Sequence, residues 1–315
     1  MLHLQLRVPA DLSDRVVGLL CDDETVTNVA VVPGGFAKPE GCLVLADVAR
    51  EGASAVLTAL RGLDVHQRGS ISVTEPAAVL SSEADRADAA APGLPDDAVV
   101  WDLIESRLRA DSRLSWAFAS FLTLATLIAG VGRLLDQPIL IIGAMVVGPE
   151  FSPVAAICLA LTLPRGTLLR QAVVTLLAGF LAAVAVATPL WWLGAAIGVV
   201  SPADASTGPA TSFIIQPDGW SFGIAVLAGV AGVLSLTTDK SGPLVGVFIS
   251  VTTVPAVGTA ALCMGAGVWS EVGSALLQLG INLLGMTVAG TLTLLVQRLV
   301  WRRFTHARRI SRIPG

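Results

Sequence analysis

"IIGAMVVGPEFSP", residues 141–153, interrupts an otherwise apolar run, and its reading decides what kind of fold the chain adopts. It holds Gly143, Gly148, Pro149, Glu150 and Pro153 where a continuous hydrophobic helix would be expected. A proline donates no backbone hydrogen bond, and its ring clashes with the carbonyl four residues back. Pro149 and Pro153 are therefore expected to free the carbonyls of Met145 and Pro149. An unsatisfied carbonyl in hydrocarbon costs several kcal/mol, so such backbone has to face protein or a wet cavity. Counting from the outer end of its span at about 1.5 Å per residue, Glu150 falls roughly 18 Å deep, near the bilayer midplane. The stretch thus predicts a broken transmembrane helix carrying an ionisable group, which marks a functional site by default. The structural alternative is a protonated Glu150 bonded to a neighbouring helix.

The rest of the chain supports a membrane setting. Of its 315 residues 54% are hydrophobic and 14% charged, against about 25% charged in an ordinary soluble domain. Charged side chains concentrate in residues 1–113 and 298–315. Between Leu114 and Gln297 lie apolar runs long enough to cross about 30 Å of hydrocarbon. Six spans are expected, at 114–132, 138–162, 169–199, 220–237, 243–268 and 272–298. With the N-terminus placed in the cytoplasm, Arg165, Arg170 and Lys240 fall in inside loops, and the outside loops hold Arg133 alone. The tail adds Arg298, Arg302, Arg303, Arg308, Arg309 and Arg312 to the inside. This satisfies the positive-inside rule, with Trp191, Trp192, Trp220 and Trp269 at the outer interface and Trp301 at the inner. The expected location is a bacterial inner membrane, with both termini cytoplasmic. Arg302, Arg303, Arg308 and Arg309 read as an anchor on anionic lipid rather than a nucleic-acid contact.

Residues 1–74 read as a soluble domain of α+β class. "LHLQLRV" alternates as a strand; "ADLSDRVVGLLCD" carries Leu12, Val16, Leu19 and Leu20 on one helical face. "TVTNVAVV", closed by a "PGG" turn, and "GCLVLADVA" are further strands. "EGASAVLTALRGL" is a helix with Val56, Leu57 and Leu60 inward, and "SISVTE" is the last strand. The order is βαββαβ, as in ferredoxin-like domains. Residues 75–98, rich in Ala, Pro, Asp and Ser, read as a disordered linker. An amphipathic helix follows at 99–113, capped by Asp96 or Asp97, with Val100, Leu103, Ile104 and Leu108 as its stripe and Arg107, Arg109 and Arg113 near lipid headgroups. The membrane part is 114–300 and the basic tail 301–315. Cys21, Cys42, Cys158 and Cys263 form no metal-binding spacing, and His3, His66 and His306 stand far apart. No cofactor is called for, and no metalloprotease or serine-hydrolase motif points to an enzyme.

The halves of the membrane part resemble each other. "ATLIAGVG" (125–132) parallels "AVLAGVAG" (225–232), and "QAVVTLLAG" (171–179) parallels "QLGINLLGM" (278–286). "IGAMVVGPEFSP" parallels "VGVFISVTTVP", each broken by glycine and proline. Three spans per half is an odd number, so the second half enters from the opposite side, as in transporters with inverted repeats. Chance likeness of Ala-, Leu- and Gly-rich helices is the alternative.

Gly143-Ala144-Met145 with Pro149 and Pro153, then Val254-Pro255 and Asn282-Leu283, resemble the hallmarks of a bacterial membrane family, domain of unknown function 389. The resemblance covers about 114–300. It departs at Ala256, where a second proline is usual, and at Glu150, where the family is often apolar. It implies the topology and brings no activity with it. The expected pathway residues are Gly143, Met145, Gly148, Pro149, Glu150, Ser152, Pro153, Thr252, Thr253, Pro255, Gln278 and Asn282. The expected function is a secondary transporter or channel for a small cation or proton-coupled solute, with membrane lipids and a second copy of the chain as partners. The alternative is a non-transporting sensor or scaffold whose soluble domain binds a ligand or partner.

Overall fold

The computed structural model describes residues 1–76, 78–91, 99–206, 208–214, 219–237 and 253–311, the side chains of 213 and 301–311 excepted. Its described residues divide into two compact units, one of residues 1–104 with Thr237 and 300–311, the other of residues 105–236 and 253–299, so that the last residues of two long helices group with the first.

The first unit is built on a four-stranded antiparallel sheet in the order β2-β3-β1-β4. Its strands are β1 (Leu2–Val8), β2 (Val26–Ala37), β3 (Glu40–Val48) and β4 (Ser70–Thr74). Helix α1 (Ser13–Cys21) links β1 to β2, and α2 (Arg50–Gly62) with the single turn α3 (Val65–Arg68) links β3 to β4. The period-2 pattern of β1 puts Leu2, Leu4, Leu6 and Val8 in the core at 0% exposure. Val16 and Leu20 of α1 and Val56, Leu57 and Leu60 of α2 close over them, while Leu19 is partly buried. Each such side chain contributes about 1.5–3 kcal/mol by leaving water.

Two expectations fail here. The "PGG" segment is not a turn: β2 continues through it to Ala37, with a register irregularity between Val32 and Phe36 and Gly34 at φ +66°. A glycine in the left-handed region lets the strand bulge and go on instead of reversing. The stretch 75–98, expected to be disordered, contains helix α4 (Ser82–Ala90). The Ser81 hydroxyl caps it, accepting from the N–H groups of Glu83 and Ala84, and Ala84 and Ala87 are buried. Composition hid a helix of good formers behind a serine N-cap. Asp96 and Asp97 lie outside the described residues. Of the expected stripe, Val100 just before helix α5 (Trp101–Asp111) and Ile104 and Leu108 within it are buried, and Leu103 is partly buried.

The second unit is helical. It contains α6 (Trp116–Leu134), α7 (Pro138–Val147), α8 (Phe151–Thr162), α9 (Gly166–Ala196), the short α10 (Pro202–Ser206), α11 (Gly219–Thr237), α12 (Val254–Ala266) and α13 (Trp269–Ser311). Among the described residues four helices are long and apolar enough to cross a membrane: α6, α9, α11 and α13 through Val300. The pair α7 and α8, bent by 57° at its break, makes a fifth if it is one span. Among the described residues, four to five of the six expected spans are thus accounted for. Of the expected span 243–268 only α12 is described, since 243–252, Asp239 and Lys240 lie outside the described residues. Nor does the tail begin a new element, because the α13 backbone stays helical to Ser311.

Small residues set the packing. A Cβ on Gly258 of α12 would come within 2.6 Å of the Ala129 Cβ and 2.8 Å of the Thr126 carbonyl oxygen on α6. Gly265 makes a similar approach to Trp191 and to the Thr188 carbonyl on α9. Close backbone contact of this kind drives helix association where hydrophobic burial gives no net gain. Helix α12 is consequently buried on all sides, Met264 being its one half-exposed residue. Trp191, expected at the outer interface, instead packs inward against Gly130 and Gly265, whereas Trp192, Trp220 and Trp269 are exposed.

Candidate functional site

Helix α7 has ten residues and α8 twelve, or about 15 and 18 Å at 1.5 Å per residue. Neither crosses about 30 Å of hydrocarbon alone, so the break at 148–150 falls near the middle of their joint path. Gly148 and Pro149 stop α7, and Glu150 is the N-cap residue of α8. A side chain at 148 would overlap the Glu150 carboxylate and Val254, so only glycine lets the three groups meet.

Pro153 plays a different part from the one its spacing implied. It is the third residue of α8, and Pro255 is the second of α12. In a first turn the N–H has no intrahelical partner, so these prolines start helices and free no carbonyl. Of the three prolines, Pro149 alone stands in the break itself.

Glu150 is 1% exposed, and Thr253, the N-cap residue of α12, is fully buried. The Thr253 hydroxyl donates to Glu150 Oε1 at 3.0 Å. A carboxylate thus joins the N-terminal ends of two helices, where the partial positive charge of each favours an anion. The two helices then diverge. The Thr162 carbonyl at the end of α8 accepts from Arg298 at 2.6 Å, while Cys263 near the end of α12 donates to Glu271 at 3.7 Å. Glu271 and Arg298 lie 27 residues apart on α13, about 40 Å along its axis. Glu150 and Thr253 therefore meet at the centre, and α8 and α12 run to opposite ends.

The other expected pathway residues are dispersed. Gly143 is exposed with open space beside it. Met145 packs with Ile141, Ile214 and Ala256. The Ser152 carbonyl accepts from Ser112 at 3.2 Å. Gln278 and Asn282, both buried, pair across one turn of α13 at 3.2 Å. Their neighbours Leu279 and Leu283 pack in the cluster that contains Ala144, Val154 and Val254. Thr252, and most of "VGVFISVTTVP", lie outside the described residues, as do the side chains of Arg302, Arg303, Arg308 and Arg309.

One charged centre escaped the sequence reading. Arg133, expected in an outside loop, belongs to the last turn of α6 and is 1% exposed. Its guanidinium pairs with Glu271 at 3.2 Å and donates to Thr211 Oγ1 at 2.9 Å, the Gly208 carbonyl at 3.2 Å and the Ser206 carbonyl at 3.3 Å. Asp136, in the following loop, accepts from the Thr211 N–H and hydroxyl at 2.9 and 2.8 Å. Desolvation pushes the Asp136 carboxyl up, but the hydrogen bonds from Thr211 and Ala210 and the nearby Arg133 outweigh it and hold it below the usual carboxylate range. The spacing Arg133-x-x-Asp136 at the end of an apolar run was the available signal. Its partner Glu271 lies 138 residues on and left none.

The family described as "Domain of unknown function (DUF389)" matches residues 145–288. The chain is also similar to the "Uncharacterized protein MJ0678" of Methanocaldococcus jannaschii, with 29% identity over 168 residues, 53% of this chain and 50% of the relative. The chain thus matches about half the length of that curated relative. No solved structure matches the chain.

Proposed function

Residues 145–288 belong to the DUF389 family, and from that premise we propose that the chain is a membrane transporter or channel for a small cation or a proton-coupled solute. The observation that carries the reading is Glu150, a carboxylate 1% exposed at the meeting point of two half-length helices. Paired half-helices that leave one point for opposite ends are the form in which inverted-repeat transporters build their central sites. With Glu150 ionised, its charge offsets the positive ends of α8 and α12 and favours a cation. With Glu150 protonated, the same helix ends accept an anionic group, so a proton on Glu150 selects what the site holds. Arg133 does not add an anion site, because Glu271 already neutralises it.

Flux in proteoliposomes tests this. Glu150→Gln keeps the shape and the acceptor for Thr253 and removes the charge. It is expected to leave assembly and melting nearly unchanged while lowering flux, or abolishing its dependence on a pH gradient. Wild-type flux in this variant, combined with a clear loss of stability in Glu150→Leu, would sink the pathway role and leave Glu150 a helix–helix bond. The sensor or scaffold alternative requires that no solute or ion moves at all.

A further inference from the structure

The second unit has a cavity of about 590 Å³ away from Glu150, at the end where α6 and α9 begin. Its lining includes Arg113, Leu114, Thr167, Arg170 and Val174. We infer that this cavity is a binding site for an anionic phospholipid, its phosphate held by Arg113 and Arg170 and its acyl chain laid along α9.

The basic wall is built. The turn carrying Arg113 is fastened to α9 by three hydrogen bonds. Gln171 Nε2 donates to the Arg109 and Ser112 carbonyls at 2.9 and 3.3 Å, and Thr175 Oγ1 donates to the Ser112 carbonyl at 2.8 Å. Ser112 is itself fully buried. Arg113 is thereby held one residue from a fixed point beside Arg170. Among the described residues neither arginine has an ion-pair partner, in contrast to Arg165 and Arg109, which share Glu105. Thr167 adds the first turn of a 31-residue helix, whose leading N–H groups and dipole favour a phosphate. Arginine suits this ligand because its planar fork matches two phosphate oxygens.

The apolar side separates a lipid from a free anion. From Arg170 the same face of α9 continues through Val174, Leu177 and Leu181, exposed by 53%, 56% and 70%. Leu114 lines the same cavity, and Trp116, two residues on at the start of α6, is exposed by 88%. A soluble anion has no use for such a stripe, whereas an acyl chain covers it. Trp116 at the boundary is where interfacial tryptophans are found. The site depends on neither the transport reading nor the charge state of Glu150.

The test is retention of phosphatidylglycerol by the purified full-length protein, measured by native mass spectrometry, with phosphatidylcholine and inorganic phosphate as competitors. Wild type is expected to keep phosphatidylglycerol against both. Arg113→Gln with Arg170→Gln is expected to weaken retention roughly tenfold, the scale of a lost charge-assisted contact. Arg165→Gln, which removes an arginine of the same region outside the cavity, is expected to leave it unchanged. Val174→Glu, at an exposed position, provides an independent variant that should also repel the lipid. Equal losses on Arg165→Gln would overturn the site in favour of diffuse attraction. Equal competition by inorganic phosphate would overturn the lipid assignment. Unchanged retention in both cavity variants would overturn the inference outright.

Discussion

At the scale of single residues, the described part of the helical unit buries an acidic and a basic side chain, Glu150 and Arg133, under different terms. Glu150 is met by a hydroxyl and two helix ends, whereas both terminal nitrogens of Arg133 are held, by Glu271, Thr211 and two carbonyls. Removing one partner of a buried pair leaves an uncompensated charge, typically at a cost of about 3–5 kcal/mol. Arg133→Gln is therefore expected to lower the melting temperature markedly, and Glu271→Gln in the same chain to recover part of the loss; full additivity of the two would contradict the pairing. In the first unit Glu51 is 5% exposed. Desolvation raises its carboxyl above the ordinary carboxylate range, with Asp88 adding to the rise, against the pull of a backbone hydrogen bond, the N-terminal amine and Arg50. A raised acid binds its proton more tightly in the folded state, so its contribution to stability is fully present below the unfolded carboxyl value and is lost as pH climbs through the folded one. Hydrogen exchange of the α2 amides in the full chain should quicken over that rise, and Glu51→Gln should flatten the dependence. Glu150 was legible because an acidic residue in an apolar run stands out in one dimension. Arg133 was not, since a cation at the end of an apolar run is the ordinary sign of a loop, and its burial depends on partners far along the chain.

At the scale of elements, periodicity and punctuation differ in what they reveal. The alternation of β1 and the inward stripe of α2 follow directly from their residues, because one buried face imposes its period on the sequence. Glycine and proline are ambiguous: Gly34 makes a bulge where a turn was expected, and Pro153 starts a helix where a kink was expected. Which of the two occurs depends on the partner strand or on the next helix, neither of which is local information. Helix α4 depends on one serine. Ser81→Ala should cost about 1 kcal/mol of that helix, seen as faster exchange confined to residues 83–90. Gly258→Val tests the wedge of α12 against α6: its side chain would meet a backbone carbonyl that cannot move aside. It should impair assembly far more than Gly273→Val, where no atom lies within 4 Å; equal tolerance would refute the close packing.

At the scale of the whole molecule, the membrane class was legible from composition, whereas the sharp bend between α7 and α8 was not, because half-length helices and full ones share the same hydrophobicity. The orientation proposed from the arginine distribution can be checked with native chemistry. Cys21 is exposed in the first unit, and Ala203 is exposed in α10. In intact cells an impermeant maleimide should label Ala203→Cys and spare Cys21 until the membrane is permeabilised; the opposite pattern would invert the orientation. The divergence of α8 and α12 from Glu150 carries a further consequence, for voltage. Helices of twelve and thirteen residues that run to opposite ends carry nearly equal and opposed dipoles. A transmembrane potential pulls on one as hard as on the other and does almost no net work when the pair rocks together. If Glu150 is ionised, as the proposed function has it, the electrical sensitivity of the centre is then that of its charge. A full charge crossing the membrane is worth about 2.3 kcal/mol per 100 mV, and a charge at its middle feels about half of that. On the proposed reading, the membrane voltage acts on this centre through the single charge of Glu150.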